Sequence, residues 1–277
     1  MPYLIVVSLL WAFSFGLIKR YLAGVDSAFV TTIRLGLSLI VFLPFLRLRG
    51  VSVRIGLTLA AIGAVQFGVM YLAYIESFRY LHAYEAALFT ITTPIFVTLL
   101  VDCFERTLRP RALIAALLAV VGTGIIVVKS TDLKLTLAGL GLVQLSNVAF
   151  AFGQVLYRRL RKQNAALKDR EIFALLYAGA VIVAVAALIG RGVSFNLAAA
   201  QLWTLVYLGV VASGIGFFLW NKGAVQVKGG TLAVMNNLKV PLAVACALLF
   251  FGESANLPRL IASLLVLGAA VWLAEKN

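Results

Sequence analysis

Acidic side chains are scarce in this chain of 277 residues: ten Asp and Glu stand against 24 Lys and Arg, and charged residues of both signs make up only 12%. No carboxylate falls near the middle of an apolar run. Proton exchange for a cationic cargo needs a buried acid within the membrane, so that scarcity argues against it. Cysteine is limited to Cys103 and Cys246, each at or inside an apolar segment without a CxxC neighbour, and neither a disulfide framework nor a metal site is expected. Histidine occurs once, as His82; it reads as a loop residue or a proton sensor, and alone it makes no metal site. Paired intramembrane aspartates, a Ser-His pair and HExxH are all missing, so neither an enzyme nor a bound cofactor or metal is expected.

What fills the chain instead is apolar: 63% of its residues are hydrophobic and the mean hydropathy is +1.05, far outside the range of soluble domains. A spanning helix takes roughly 20 apolar residues, leaving room for about ten spans joined by short turns. The runs fall near Pro2–Ile18, Ala28–Leu46, Ile55–Ile75, Ala83–Val101 and Arg111–Val128, then Leu135–Tyr157, Ile172–Ile189, Leu202–Trp220, Thr231–Phe251 and Arg259–Ala274. The expectation is an all-α membrane protein of ten transmembrane helices, most of it in contact with the lipid bilayer. The first run carries Lys19 and Arg20 at its far end, the reverse of a signal peptide, and is expected to be retained.

Charge sets the expected orientation. With the N-terminus in the cytoplasm, fifteen basic residues fall on that side, among them Arg47, Arg106, Arg109 and the dense run Arg158, Arg159, Arg161 and Lys162; seven fall on the other. Positive residues are retained inside, so both termini are expected to be cytoplasmic, in a bacterial inner membrane. No basic stretch is long enough to form a nucleic-acid-binding domain, and no nucleic acid is expected as partner.

Two ordered matches suggest duplication. Ala12-Phe13-Ser14-Phe15-Gly16 in the first run reappears as Ala149-Phe150-Ala151-Phe152-Gly153 in the sixth; Pro94, Glu105 and Pro110 reappear as Pro241, Glu253 and Pro258, both reading Glu-x4-Pro. The seam falls near Ser130–Lys134, giving repeats at 1–129 and 135–277. Five spans per repeat, an odd number, require the second copy to be inverted, and inverted halves can exchange conformations around a shared midplane site.

Leu10-Trp11-Ala12-Phe13-Ser14-Phe15, Arg34 and the paired Pro and Glu-x4-Pro signatures resemble the drug/metabolite transporter superfamily with two EamA-type repeats, and within it the YddG-type amino-acid exporters of the carboxylate, amino-acid and amine branch. The resemblance covers the whole chain. It implies spans one to four and six to nine around a central cavity, spans five and ten at the periphery, and export as the direction of transport. One departure is Phe104 before Glu105, where Gly is common; Glu253 keeps its Gly252.

The residues that suit a substrate are polar or aromatic groups at mid-span. Lys239 costs roughly 2.5–3.5 kcal/mol at a helix centre and shares a face with Asn236, so the pair suits a carboxylate, although a Lys that snorkels is the alternative. Pro94 and Pro241 free the carbonyls of Thr90 and Asn237, which become candidate acceptors or hinges. Gln144, Asn147 and Gln154 form an amide stripe along span six, facing either a cavity or a neighbouring helix. Trp11, Phe15, Tyr71 and Tyr74 with Gln66 provide an aromatic wall. Arg34 is placed to pair with Glu76 or Glu85, as an outer gate or a structural ion pair. The expected function is a monomeric carrier exporting small-molecule substrates, amino acids first, by alternating access; organic acids, amines, nucleotide sugars and a channel are the alternatives.

Overall fold

The computed structural model describes residues 1–22, 24–77, 79–81, 86, 89–127, 136–189, 197–250 and 256–276, with the backbone alone at Phe15, Lys19, Ile126, Val127 and Ala247. His82, Glu85, Gly252, Glu253 and the seam at Ser130–Lys134 lie outside the described residues. Along the chain the helices are α1 (Pro2–Tyr21), α2 (Ser27–Phe45, its last turn 3₁₀), α3 (Val53–Ser77), α4 (Thr93–Glu105), α5 (Pro110–Val127), α6 (Leu137–Gln163), α7 (Asp169–Leu188), α8 (Ala199–Gln226), α9 (Gly229–Phe250) and α10 (Leu257–Glu275). Among the described residues there is no strand.

Seven of these, α2, α3 and α6 to α10, are long and apolar enough to cross a membrane; α1 and α5 carry shorter apolar stretches, Pro2–Ile18 and Pro110–Ile125. Their outward faces are apolar: Ile40, Leu57, Ile182 and Leu265 are all more than half exposed, as lipid-facing side chains must be. Trp203 and Trp272, expected as interfacial anchors, are exposed as well. Helix starts follow local chemistry. Asp26 accepts from the Phe29 amide at 2.9 Å, and Asn256 from that of Arg259 at 3.0 Å, each filling one vacant N-terminal donor.

Three departures from regular helix position everything else. α3 widens to a π-helical segment at Ala64–Val69 and α8 does so at Tyr207–Ile215, the corresponding helix of the second half. α9 breaks at residues 236–238, ahead of the proline expected to free the Asn237 carbonyl, because Pro241 supplies no amide donor and its ring clashes with the turn before it. Residues 91 and 92, ahead of Pro94, form a turn in the same way. A smaller correction concerns α6, which was expected to end at Tyr157 and runs on to Gln163: its Arg and Lys are good helix formers, and Arg158 and Arg161 find carboxylates across the helix end.

Packing couples the two halves throughout. α1 lies on α8 and on the second half of α9, and correspondingly α6 lies on α3 and on α4. α2 packs on α8 as α7 packs on α3, while α5 pairs with α10, α2 with α7 and α4 with α9. Close approach is permitted by glycine: a Cβ on Gly63 would sit 1.8 Å from the Leu176 carbonyl oxygen, and one on Gly179 would sit 1.9 Å from that of Ala60. Small residues serve this purpose in lipid, where apolar burial alone gives helices no reason to associate.

Candidate functional site

A cavity of about 100 Å³ opens among α1, α2, α3, α6, α8 and the turns that precede α4 and divide α9. Trp11, Ser14 and Ile18 line it from α1, Arg34 from α2, Met70, Tyr71 and Tyr74 from α3, Thr90 and Thr93 from the α4 turn, Ser146, Asn147 and Phe150 from α6, Phe217 from α8 and Lys239 from α9. It occupies the half of the bundle toward the α1–α2 connection. No acidic residue lines it among the described residues.

The wide turn of α8 explains one wall. A π-helical segment leaves carbonyls misaligned with their usual donors, and side chains from other helices take them. The Trp11 indole donates to Ala212 at 2.9 Å, the Tyr177 hydroxyl reaches Ser213 and Gly214 at 2.7 and 2.8 Å, and the Ser38 hydroxyl reaches Gly209 at 2.8 Å. Trp11 is thereby fixed among Phe150, Phe217 and Trp220, with ring centroids 5.9, 5.2 and 4.9 Å away. The Ser213 hydroxyl accepts from Arg34 Nη2 at 3.0 Å and lies 3.0 Å from the Tyr71 hydroxyl, which also accepts from Arg34 at 2.5 Å. Arg34, 3% exposed, therefore meets neutral hydroxyls beside the cavity.

Lys239 has no hydrogen bond or ion pair with the described residues. Its ammonium lies 5.4 Å from the Trp11 ring centroid and 5.7 Å from that of Phe150. Such contacts are worth about 0.5 kcal/mol when exposed and about 2 kcal/mol when desolvated, against the roughly 2.5–3.5 kcal/mol a mid-membrane Lys costs, and neither ring supplies the ammonium with a hydrogen-bond acceptor. The missing acceptor leaves a cation poised for an anion.

The α4 turn is pinned by side chains. The Phe89 carbonyl accepts from Asn147 at 2.8 Å and Gln144 at 3.3 Å, the Thr90 carbonyl from the Thr93 hydroxyl at 2.7 Å, and the Ile91 carbonyl from Asn237 at 2.8 Å. Three carbonyls in a row are thus held, two of them by α6 and α9. In α9, the Asn237 carbonyl released by Pro241 accepts from the Val240 amide at 3.0 Å.

Below the cavity lies a second polar layer. Gln154 accepts from the Trp220 indole at 2.9 Å and exchanges amide bonds with Asn236 at 3.3 and 3.4 Å, while Gln66 donates to Asn221 at 3.1 Å. All five side chains are essentially buried.

The structure therefore brings Trp11, Arg34, Tyr71, Tyr74, Thr90, Asn147 and Lys239 to one cavity and holds Gln66, Gln154, Asn236 and Asn237 in the packing around it. The span-six amides divide: Gln144 and Asn147 serve the α4 turn, Gln154 the lower layer. For Phe15 only the backbone is described, and Glu85 lies outside the described residues. Arg34 is engaged by Tyr71 and Ser213, while Glu76 accepts from Ser27 at 2.9 Å and Arg79 at 2.6 Å. Sequence reasoning missed Ser213, Phe217 and Ser146; the glycines at 209, 214 and 216 were the available sign that α8 departs from a regular helix there.

At the far end from this cavity the helices are tied together. Glu105 joins Arg109 and, at 3.0 Å, Arg158; Asp169 joins Arg161 at 2.7 Å and accepts from Tyr157 at 2.5 Å. Between that end and the cavity lies the buried layer of Gln66, Gln154, Trp220, Asn221 and Asn236.

The model of the EamA-like transporter family matches the chain twice, over residues 1–128 and 137–274. The chain is 45% identical over 282 residues to a protein of Escherichia coli (strain K12) named "Biotin transporter", covering 100% of this chain and 93% of that one. It is 42% identical over 280 residues to a protein of the same name from Salmonella typhimurium, with 100% and 93% covered. It is 45% identical over 276 residues to a "Probable biotin transporter" of Pseudomonas aeruginosa, with 98% and 96% covered. A crystal structure 18% identical in sequence superposes with a TM-score of 0.79, covering 99% of this chain and 95% of the other, a likeness of fold.

Proposed function

We propose that this chain, a multi-pass membrane protein that belongs to the EamA-like transporter family, carries biotin. The observation that bears the weight is the charge of the cavity: Arg34 and Lys239 line it, and no described lining residue is acidic. A free amino acid would bring an ammonium group into a site with two cations and nothing to balance it. Biotin brings one carboxylate, an apolar sulfur-containing ring and a neutral ureido group. It is also the cargo in the names of relatives 42–45% identical over essentially the whole chain. The amino-acid exporter expectation gives way to it on both grounds.

In this reading the biotin carboxylate meets Lys239, whose burial cost it offsets. The ring and acyl chain lie against Trp11, Phe150 and Phe217, and the ureido group meets the hydroxyls and amide of Thr90, Ser146 and Asn147. Arg34 is a fixed charge that excludes cations. The protein consists of two inverted five-helix halves, 1–129 and 135–277, with both termini cytoplasmic. The exchange-related packing and the matched wide turns and breaks support this. Alternating access then consists of opening the end tied by Glu105 and Arg158 while the cavity mouth closes, with the pinned turns at Thr90 and Asn237, beside Pro94 and Pro241, as hinges.

Counterflow of labelled biotin in proteoliposomes tests this reading. Unlabelled biotin should drive exchange, biotin methyl ester should do so poorly, and neutral amino acids not at all. Exchange of amino acids without exchange of biotin would return the cargo to the amino-acid class.

A further inference from the structure

At the opposite end of the bundle from the proposed biotin cavity, α4 and α6 enclose a second cavity of about 250 Å³. Val101, Phe104 and Val155 form its apolar wall; Arg158, Arg159 and Lys162 form its basic one, with Glu105 and Gln163. Both Glu105 carboxylate oxygens are engaged, one by Arg158 and the other by Arg109. Arg159 donates to the Phe104 carbonyl at 3.1 Å, a helix-end contact that explains part of the basic wall.

Arg158 also donates through Nη2 to the Val227 carbonyl at 3.2 Å; its Nε and the Lys162 ammonium are what contacts among the described residues leave unexplained. Arg158 is 6% exposed, yet its Nε has no hydrogen-bond partner, and burying an ionised donor without an acceptor is costly. Lys162 makes no hydrogen bond or ion pair with the described residues. Around Glu105 the charge is two carboxylates, its own and that of Asp102, against three lining cations and the Arg109 guanidinium, which pairs with both acids. A group with several acceptor oxygens and negative charge satisfies these donors together. Two features favour a lipid as its bearer. The apolar side chains Leu99 and Leu108, on and just after α4, are 50% and 89% exposed near that end. The surplus of Lys and Arg also assigns this end to the cytoplasmic leaflet, whose anionic lipids attract basic pockets between helices.

We infer that the cavity between the ends of α4 and α6 binds the phosphate group of an anionic phospholipid, through Arg158, Arg159 and Lys162. The bound headgroup braces the α4–α6 contact on which closure of that end depends.

Native mass spectrometry of the full chain, released from detergent after titration with phosphatidylglycerol, phosphatidylcholine or inorganic phosphate, reads the site directly. Phosphatidylglycerol adducts should form in preference to phosphatidylcholine, and inorganic phosphate should displace them poorly. Arg159→Gln and Lys162→Gln, both on exposed residues, should each weaken phosphatidylglycerol binding about fivefold, while Lys162→Arg retains it. Equal retention of the two lipids, or unchanged binding in both Gln variants, overturns the inference. Displacement by inorganic phosphate as effective as by the lipid itself replaces the lipid with a free anion and overturns it as well.

Discussion

The cavity and the polar layer beneath it contain the same kinds of side chain and differ in who satisfies them. Below, Gln154, Asn236 and Trp220 bond to one another in a closed set, and Gln66 donates to Asn221, leaving only its own Oε1 without a partner among the described residues of that layer. Above, among the described residues, Lys239 meets only ring faces, and Arg34 meets two neutral hydroxyls. A polar group saturated by protein stabilises the bundle; one left short has its cost offset when a ligand arrives. Substitutions in the two layers should therefore separate transport from stability.

Lys239→Met makes the sharpest separation. Removing a charged hydrogen-bonding partner costs about 1.5–3 kcal/mol, so biotin affinity should fall roughly tenfold to a hundredfold. The folded protein should lose nothing in thermal stability, because an uncompensated cation leaves the membrane. Binding and melting measured on the same preparation check both halves; biotin affinity unchanged in this variant removes the carboxylate role.

Gln154→Leu should do the reverse. It strands the Trp220 indole donor and the Asn236 Oδ1, each buried, at about 1–3 kcal/mol, while the Asn236 Nδ2 keeps the Leu232 carbonyl at 2.7 Å. The melting transition in detergent should drop, while the molecules that remain folded keep their half-saturating biotin concentration. A variant as stable as the parent but unable to bind biotin would mean that the lower layer belongs to the substrate site.

Why the two layers looked alike in the sequence follows from what periodicity encodes. Asn147 and Gln154 are seven residues apart, two helical turns, on one face of α6. Face is legible from that spacing, but depth along the helix is not, and depth decides which amide reaches the cavity. Lys239 and Arg34 were legible because a cation inside an apolar run is costly wherever it lies. Pro94 and Pro241 announced where α4 and α9 depart from regular helix, yet the groups that hold the carbonyls on either side of Thr90, Asn147 at Phe89 and Asn237 at Ile91, come from other helices and depend on tertiary packing. Ser213 and Phe217 were missed because the wall they form depends on the wide turn of α8, and nothing in hydrophobic periodicity marks such a turn.

Tyr71→Phe tests the boundary between the layers with a smaller effect. Arg34 loses one acceptor and retains Ser213, so the net loss is about 1 kcal/mol. Because the guanidinium is then less firmly placed, biotin affinity should weaken several-fold with little change in melting. An effect on melting alone would assign the Arg34, Tyr71 and Ser213 cluster to the saturated class.

The smallest effect expected comes from Thr93→Val, nearly the same shape without the hydroxyl. The substitution releases the Thr90 carbonyl, which Thr93 takes at 2.7 Å. Thr90 and Thr93 both line the cavity, so water should replace the lost donor at a cost of roughly 0.5 kcal/mol or less. Asn237→Leu removes the donor one carbonyl further on, at Ile91, together with its 3.2 Å contact to the Ala119 carbonyl, and neither Ile91 nor Asn237 lines the cavity. Water has poor access there, and the loss should approach the full price of an unsatisfied buried carbonyl, about 1–3 kcal/mol. The difference in melting between the two variants measures how far the cavity's water reaches along the α4 turn. If Thr93→Val destabilised the protein as much as Asn237→Leu, the Thr90 carbonyl would belong to the dry framework, and a hinge acting at that residue would lose its support.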